Sequence, residues 1–303
     1  MSALLVVRKP LDGFAVVVML MLCLCFGLQQ VAVVVAAKSI HPIMQMALRC
    51  GVAALLVSAL MWWRGGSFSV RDGTFWPGIA AGVLFAAEFL CVSVGLSYTS
   101  ASHMVVFLYT APIFAVLGLH YFVAAERIGR IQWIGVLLAF GGIAYAFSDS
   151  LGSDGSATVD MLLGDMLAVL GGLFWAATTI LVRTTALSEA APTRTLLYQL
   201  VVAAVLLLGI AGGLHQSSIV AISGIAWASL LFQSVIVAFA CFLAWFWMLR
   251  HYLASRVSVF SFLTPLFGVA FGVLLLDDPI KLRFAVGAVL VLAGVVMVNL
   301  RRA

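Results

Sequence analysis

Long apolar blocks alternate with short polar stretches along the whole 303-residue chain. Within each block the apolar positions run continuously instead of recurring with a helical or strand period. Residues 11–37 carry one charge, Asp12, at their edge, and residues 161–182 carry one, Asp165. Blocks of this length match a hydrocarbon core of ~30 Å, which takes ~20 helical residues to cross. The pattern predicts ten membrane helices, at about 12–36, 42–63, 75–97, 101–122, 130–147, 161–183, 194–213, 223–248, 255–276 and 283–300. A transmembrane barrel needs short alternating segments and is excluded. Composition points the same way: 65% of residues are hydrophobic and 9% are charged, too few polar groups to clothe a water-facing domain.

Charge sets the orientation. The N-terminus, the C-terminus and the even-numbered gaps hold Arg8, Lys9, Arg64, Arg71, Arg127, Arg130, Arg183, Arg194, Arg250, Arg256, Arg301 and Arg302. The odd-numbered gaps hold only Lys38, Lys281 and Arg283, and Arg49 lies inside a span. The basic face is expected to be cytoplasmic, with both termini on it, in a cell (inner) membrane. This distribution accounts for the net charge of +5 without nucleic acid. The longest outer gap, 148–160, is polar, acidic and free of Lys and Arg, as suits a linker at mid-chain. The first block also admits a signal-peptide reading, with Arg8 and Lys9 before it and Val35-Ala36-Ala37 at its end. It is longer than a signal core, and the repeat described next requires it. Cys23, Cys25, Cys50, Cys91 and Cys241 all lie in apolar blocks and read as small buried hydrophobes.

The chain repeats itself. Aligning Tyr98-Thr99-Ser100-Ala101 with Tyr252-Leu253-Ala254-Ser255 brings Pro112 and Pro265 together with one residue of slack. Glu126 then matches Asp278, Gly135 matches Gly287, Gly142 matches Gly294, Phe26-Gly27 matches Trp175-Ala176, and Pro42 matches Pro192. The domains expected are a first repeat at 1–150, an outer linker at 151–160 and a second repeat at 161–303. Each copy has an odd number of helices, so the second runs through the membrane inverted relative to the first. The fold class expected is an all-α membrane protein of ten helices in two inverted five-helix repeats around a central cavity. Inverted repeats characterise secondary transporters, whose two halves exchange conformations to alternate access. Pro112 and Pro265, each near mid-span, are expected to kink their helices as hinges or cavity-shaping bends, with Thr110 and Thr264 close enough to satisfy freed carbonyls.

The residues Ser261-Phe262-Leu263-Thr264-Pro265-Leu266-Phe267, then Leu274-Leu275-Leu276-Asp277-Asp278-Pro279 and Gly287…Gly294, resemble the second EamA repeat of the drug/metabolite transporter superfamily. Pro112…Ala125-Glu126-Arg127…Gly135 resembles the same element of the first repeat, with an extra residue. Arg49 stands where such proteins often carry an Arg. Asp277-Asp278-Pro279 replaces the usual Gly-Glu-Pro-like turn, and Phe26-Gly27 replaces the commoner Trp-Gly. The resemblance covers nearly the whole chain. It implies ten helices with cytoplasmic ends and an exporter of metabolites, and it extends to the aromatic amino acid exporter branch.

Several residues are candidates for the transport site. Arg49 lies roughly 12 Å and Glu88 roughly 14 Å below the outer face, so an intramembrane charge pair is expected. Glu88 has two functional roles open to it, binding a substrate amino group or carrying a coupling proton; a structural tie between spans is the alternative. Gln29 and Gln30 in the first span and Thr178 and Thr179 in the sixth offer uncharged hydrogen-bonding groups at repeat-related depths. Trp175 is too deep for an interfacial belt and either stacks on substrate or packs. His103 and Tyr109 approach the expected cavity from the fourth span. Trp62, Trp63 and Trp76 read as belt residues, as do some of Trp245, Phe246 and Trp247. No nucleophile–base pair, HExxH, Walker loop or glycine-rich dinucleotide motif occurs, so no catalytic residue, metal or cofactor is expected. The partners expected are a small-molecule substrate and the lipid bilayer, with the chain a monomer. The leading function is export of amino acids, aromatic ones included, against a proton-coupled exporter of drugs or cationic metabolites. An intramembrane enzyme or a scaffold is disfavoured by the repeat.

Overall fold

A computed structural model describes residues 8–37, 39–65, 72–99, 101–148, 159–214, 223–276 and 282–300. The elements are α1 (Gly13–Ala37), α2 (Pro42–Trp63), α3 (Phe75–Gly95), α4 (Met104–Phe122), α5 (Arg130–Ala146), α6 (Val159–Thr184), α7 (Pro192–Gly213), α8 (Gly224–His251), α9 (Ala254–Leu275) and α10 (Leu282–Asn299). Among the described residues all but α5 are long and apolar enough to cross a membrane, and α5 is a shorter apolar helix. The chain is a multi-pass, all-helical membrane protein whose helix boundaries follow the apolar blocks. Residues 151–158 of the outer linker, Asp278 and the C-terminal arginines lie outside the described residues, whereas Val159 and Asp160, expected in the linker, open α6.

The surface is as apolar as lipid requires. Leu55, Val205, Ile225 and Val289 are exposed, and Trp62, Trp63 and Trp76 project outward near helix ends, as belt residues should. Trp245 and Phe246 are instead buried against the bundle and are not belt residues.

Small residues set the tightest helix contacts. α5 and α10 cross at two glycine pairs: a Cβ on Gly135 would sit 2.8 Å from the Gly294 carbonyl oxygen, and one on Gly142 2.7 Å from that of Gly287. Elsewhere α3 packs between α6 and α7, α2 lies along α7, α4 lies against α6, and α1 lies against α8 and α9. Pro42 and Pro192 open α2 and α7, where a missing N–H costs nothing.

Two helices break just before their prolines. α4 divides at Tyr109-Thr110 between Ala101–Leu108 and Ala111–Phe122. α9 tightens into a 3-10 turn at Ser261–Leu263. The Thr110 hydroxyl donates at 2.6 Å to the Phe107 carbonyl, which also accepts from the Thr110 amide; the carbonyl freed by Pro112 is that of Leu108. In α9 the Ser261 hydroxyl donates at 2.6 Å to the Ser258 carbonyl, which also accepts from the Ser261 amide, so it is not the carbonyl that Pro265 frees. The Thr264 hydroxyl, expected to satisfy that carbonyl, bonds to no carbonyl and lies buried beside the Cys23 thiol and the Tyr109 hydroxyl. α8 carries its own irregularity, a π-helical stretch at Phe232–Cys241.

Candidate functional site

Glu88 faces inward from α3 while keeping some accessible surface. Its neighbour Phe89 lies under the Arg49 guanidinium, 4.6 Å from ring centroid to Cζ. The ring of Phe89 meets Phe85 edge-on at 4.7 Å, Phe85 meets Phe242 at 5.4 Å, and Phe242 meets Phe26 at 5.6 Å. A wall of aromatic rings thus runs from α3 across α8 to α1, with Arg49 at one end. Glu88 and Arg49 act on each other electrostatically. They do not form the hydrogen-bonded pair that their matching depths suggested, because no oxygen accepts from Nε, Nη1 or Nη2 of Arg49. Equal depth does not fix the angle at which a side chain leaves its helix, and the Arg49 side chain turns onto Phe89 instead.

Tyr109 occupies the break in α4, is buried, and meets Trp175 of α6 edge-on at 5.6 Å. Glu88 also acts electrostatically on Tyr109. The structure therefore brings Glu88, Tyr109 and Trp175 into one region. Beside it, Ala111, Pro112, Ala115, Trp175, Ala176, Thr179 and Ser258 line a narrow crevice between α4, α6 and α9. A second crevice, also reaching Thr179, continues past Arg183, Pro192 and Phe246 to Arg250 on the basic face. Among the described residues these crevices are narrow, and neither is an open central cavity.

Thr178 and Thr179 are buried, but each hydroxyl donates to its own helix, to Phe174 at 2.9 Å and Trp175 at 3.3 Å. Only Thr179 of the two lines a crevice described here. Gln29 is partly buried with its Oε1 unpartnered, and Gln30 is exposed. The side chain of His103 lies outside the described residues.

The basic face holds a cluster that sequence reasoning registered only as a repeat signature. Glu126, 1% exposed, accepts from Arg183 Nε at 2.8 Å, from the Ala254 and Ser255 amides at 2.9 and 3.1 Å, and from the Ser255 hydroxyl at 2.8 Å. One carboxylate thereby caps the N-terminus of α9, where the helix dipole favours an anion, and pairs with the last turn of α6. The N-terminal segment adds a strap. Arg8 donates to the carbonyls of Arg250 and Ser188 and pairs with Glu189 at 2.9 Å. The Lys9 amide donates to His251, and the Lys9 carbonyl accepts from Leu253. Asp12 caps α1 through the Ala15 amide and accepts from Lys9 and from the Tyr252 hydroxyl. The hydrogen bond from Lys9 is the main influence holding the Asp12 carboxyl at about 2. Its contribution is therefore complete above the ordinary carboxylate range and is lost only as pH falls toward about 2. Asp72 and Arg194 form a further pair on this face.

The model of a family described as EamA-like transporter family matches residues 13–148 and again 162–300. A protein of Archaeoglobus fulgidus described as an uncharacterized transporter is 26% identical over 276 residues, covering 88% of this chain and 91% of its own. The uncharacterized transporter YoaV of Bacillus subtilis is 22% identical over 281 residues, covering 90% and 92%. A crystal structure superposes with a TM-score of 0.82 at 15% identity, covering 95% of this chain and 96% of the other, a likeness of fold.

Proposed function

Because the chain belongs to the EamA-like transporter family, and is thus a membrane transporter of small molecules and not an enzyme, we propose that it exports amino acids, aromatic ones among them, from the cytoplasm by alternating access. The observation that carries this reading is the edge-on packing of Tyr109 on Trp175 beside the proline break of α4, with an acid at mid-depth, Glu88, within electrostatic reach of Tyr109. An acid suits an ammonium group, and the surrounding rings suit an apolar or aromatic side chain. Trp175, Tyr109 and Thr179 are the contact residues proposed, with Gln29, Gln30, Thr178 and His103 secondary; Pro112 and Pro265 are the hinges.

The two halves are proposed to be inverted repeats, 1–150 and 161–303, joined by the linker 151–160. The double match of the family model supports this. So do the packing partners: α4 on α6 mirrors α9 on α1, α3 on α6 mirrors α8 on α1, and α3 on α7 mirrors α8 on α2. The charge bias supports cytoplasmic termini in an inner membrane. With both repeats in one chain, a monomer suffices. The ties on the basic face then close the protein toward the cytoplasm, with the crevices past Thr179 as the route that opens.

Counterflow in proteoliposomes tests the reading. Vesicles preloaded with unlabelled phenylalanine should accelerate entry of labelled phenylalanine over protein-free vesicles. Exchange of a lipophilic cation with none for phenylalanine or threonine would overturn it. Glu88 gives the second reading, proton-coupled export of cationic compounds, its specific support. Under that reading Glu88→Gln abolishes the pH dependence of transport.

A further inference from the structure

Arg49 has no accessible surface, and no oxygen accepts from its Nε, Nη1 or Nη2; the adjacent Cys50 thiol within its reach is only a weak acceptor. A guanidinium carries five N–H donors in a rigid planar fork and remains charged. Burying that charge in a membrane without a partner is costly, and side chains so placed face an interior site or a counter-charge. Snorkelling to an interface is no relief for a group with no exposed surface. The stacking on Phe89 occupies one face of the guanidinium and leaves the donor edge unused.

Two further observations bear on this side chain. Glu88, next in the chain to Phe89, is within electrostatic reach but accepts no hydrogen bond from Arg49. A guanidinium and a carboxyl group therefore stand beside the aromatic wall of Phe89, Phe85, Phe242 and Phe26 without bonding to each other directly. In addition, the register that matches Pro42 with Pro192 matches Arg49 with Gln199. Gln199 is also fully buried, and both its Nε2 and its Oε1 are unpartnered. Equivalent positions of α2 and α7 thus both hold polar groups that the protein leaves unsatisfied. A side chain that served only to tie helices together would have found a partner in at least one of them.

We infer that Arg49 is the carboxylate-binding residue of the transport site, so that the substrate class is small carboxylates, zwitterionic amino acids above all. The fork of Arg49 takes the carboxylate, for which its geometry is suited. Glu88 takes the ammonium group, and the ring wall takes the side chain. This inference rests on the proposed transport function and adds a residue and a selection rule to it: a compound lacking the carboxylate is a poor ligand even when its ring and its ammonium group are kept.

Isothermal titration of the purified full-length protein in detergent tests it with L-phenylalanine, 3-phenylpropionate and 2-phenylethylamine. Wild type should bind phenylalanine at least about tenfold more tightly than the amine, the margin expected of hydrogen bonds to a charged group. Arg49→Gln should lose about that factor for both carboxylates and little for the amine. Arg49→Lys keeps the charge but not the fork and should also weaken carboxylate binding. It decides the matter if Arg49→Gln is not monodisperse. The inference is overturned if no carboxylate binds wild type, if the amine binds as tightly as phenylalanine, or if the folded variants keep wild-type carboxylate affinity. Carboxylate binding that depends on Arg49, with no phenylalanine counterflow, would sink the transport proposal and leave Arg49 as a ligand. Counterflow of phenylalanine that is indifferent to Arg49 would do the reverse.

Discussion

Glu126 shows what one buried charge does when every lone pair is used. It accepts from a guanidinium, two amides and a hydroxyl, and both partners of the ion pair are almost inaccessible. Such a pair adds little over well-packed apolar residues, but removing one partner strands the other. Glu126→Ala should therefore destabilise the protein by about 3–5 kcal/mol, read as a lower unfolding temperature in detergent. Glu126→Gln should cost less, because an amide oxygen still accepts from the α9 amides. Equal unfolding temperatures for wild type and Glu126→Ala would show that the pair is dispensable. Arg49 contrasts with Glu126 at the same scale. Both charges were visible in the sequence. The partners of Glu126 lie 57 and 128 residues away, and no local pattern announces them. For Arg49, depth suggested Glu88 as a partner, but depth is one coordinate of three, and the side chain turned to Phe89.

At the scale of helices, most of the fold was legible because each signal was local. An apolar run of membrane length has no alternative to a helix, since lipid cannot satisfy free backbone groups. Proline removes a donor wherever it stands, so the breaks before Pro112 and Pro265 were foreseeable. The π-helical stretch in α8 was not, because no proline or polar run marks it. Adjacent glycines look alike in the sequence, yet the structure separates them. A Cβ on Gly142 would meet the Gly287 carbonyl, whereas one on Gly141 would meet nothing within 4 Å. Gly142→Ala should therefore cost about 1–3 kcal/mol through overpacking, and Gly141→Ala should leave the unfolding temperature unchanged or raise it slightly. If both variants melt together, the α5–α10 crossing does not depend on close backbone approach.

At the scale of the whole molecule, ties between the proposed repeats lie toward both ends of the bundle, Thr99 to Asp165 and Ser229 to the Ala32 carbonyl on one side and a charged set on the basic face. Arg8, Lys9 and Asp12 bind the N-terminus to the end of α8 and to the turn after α6. Glu126 binds α6 to α9, and Asp72 binds the start of α3 to α7. These contacts join segments from both proposed repeats, so they must loosen if the halves rock apart toward the cytoplasm. A ligand or mutation shifts such an equilibrium only through a difference in free energy between its states. Removing ties made in the closed state is such a difference. Thr179, buried and lining both crevices, reports on it. In a variant with its cysteines replaced, Thr179→Cys should react slowly with a water-soluble maleimide applied from the basic face. Adding Glu126→Gln and Arg8→Ala should raise that rate several-fold. The added changes should leave labelling at Ser153→Cys, in the outer linker, unaltered and accessible only from the opposite face. Unchanged Thr179→Cys labelling would mean that the ties hold shape without gating. Labelling of Ser153→Cys from the basic face would reverse the orientation read from the arginines.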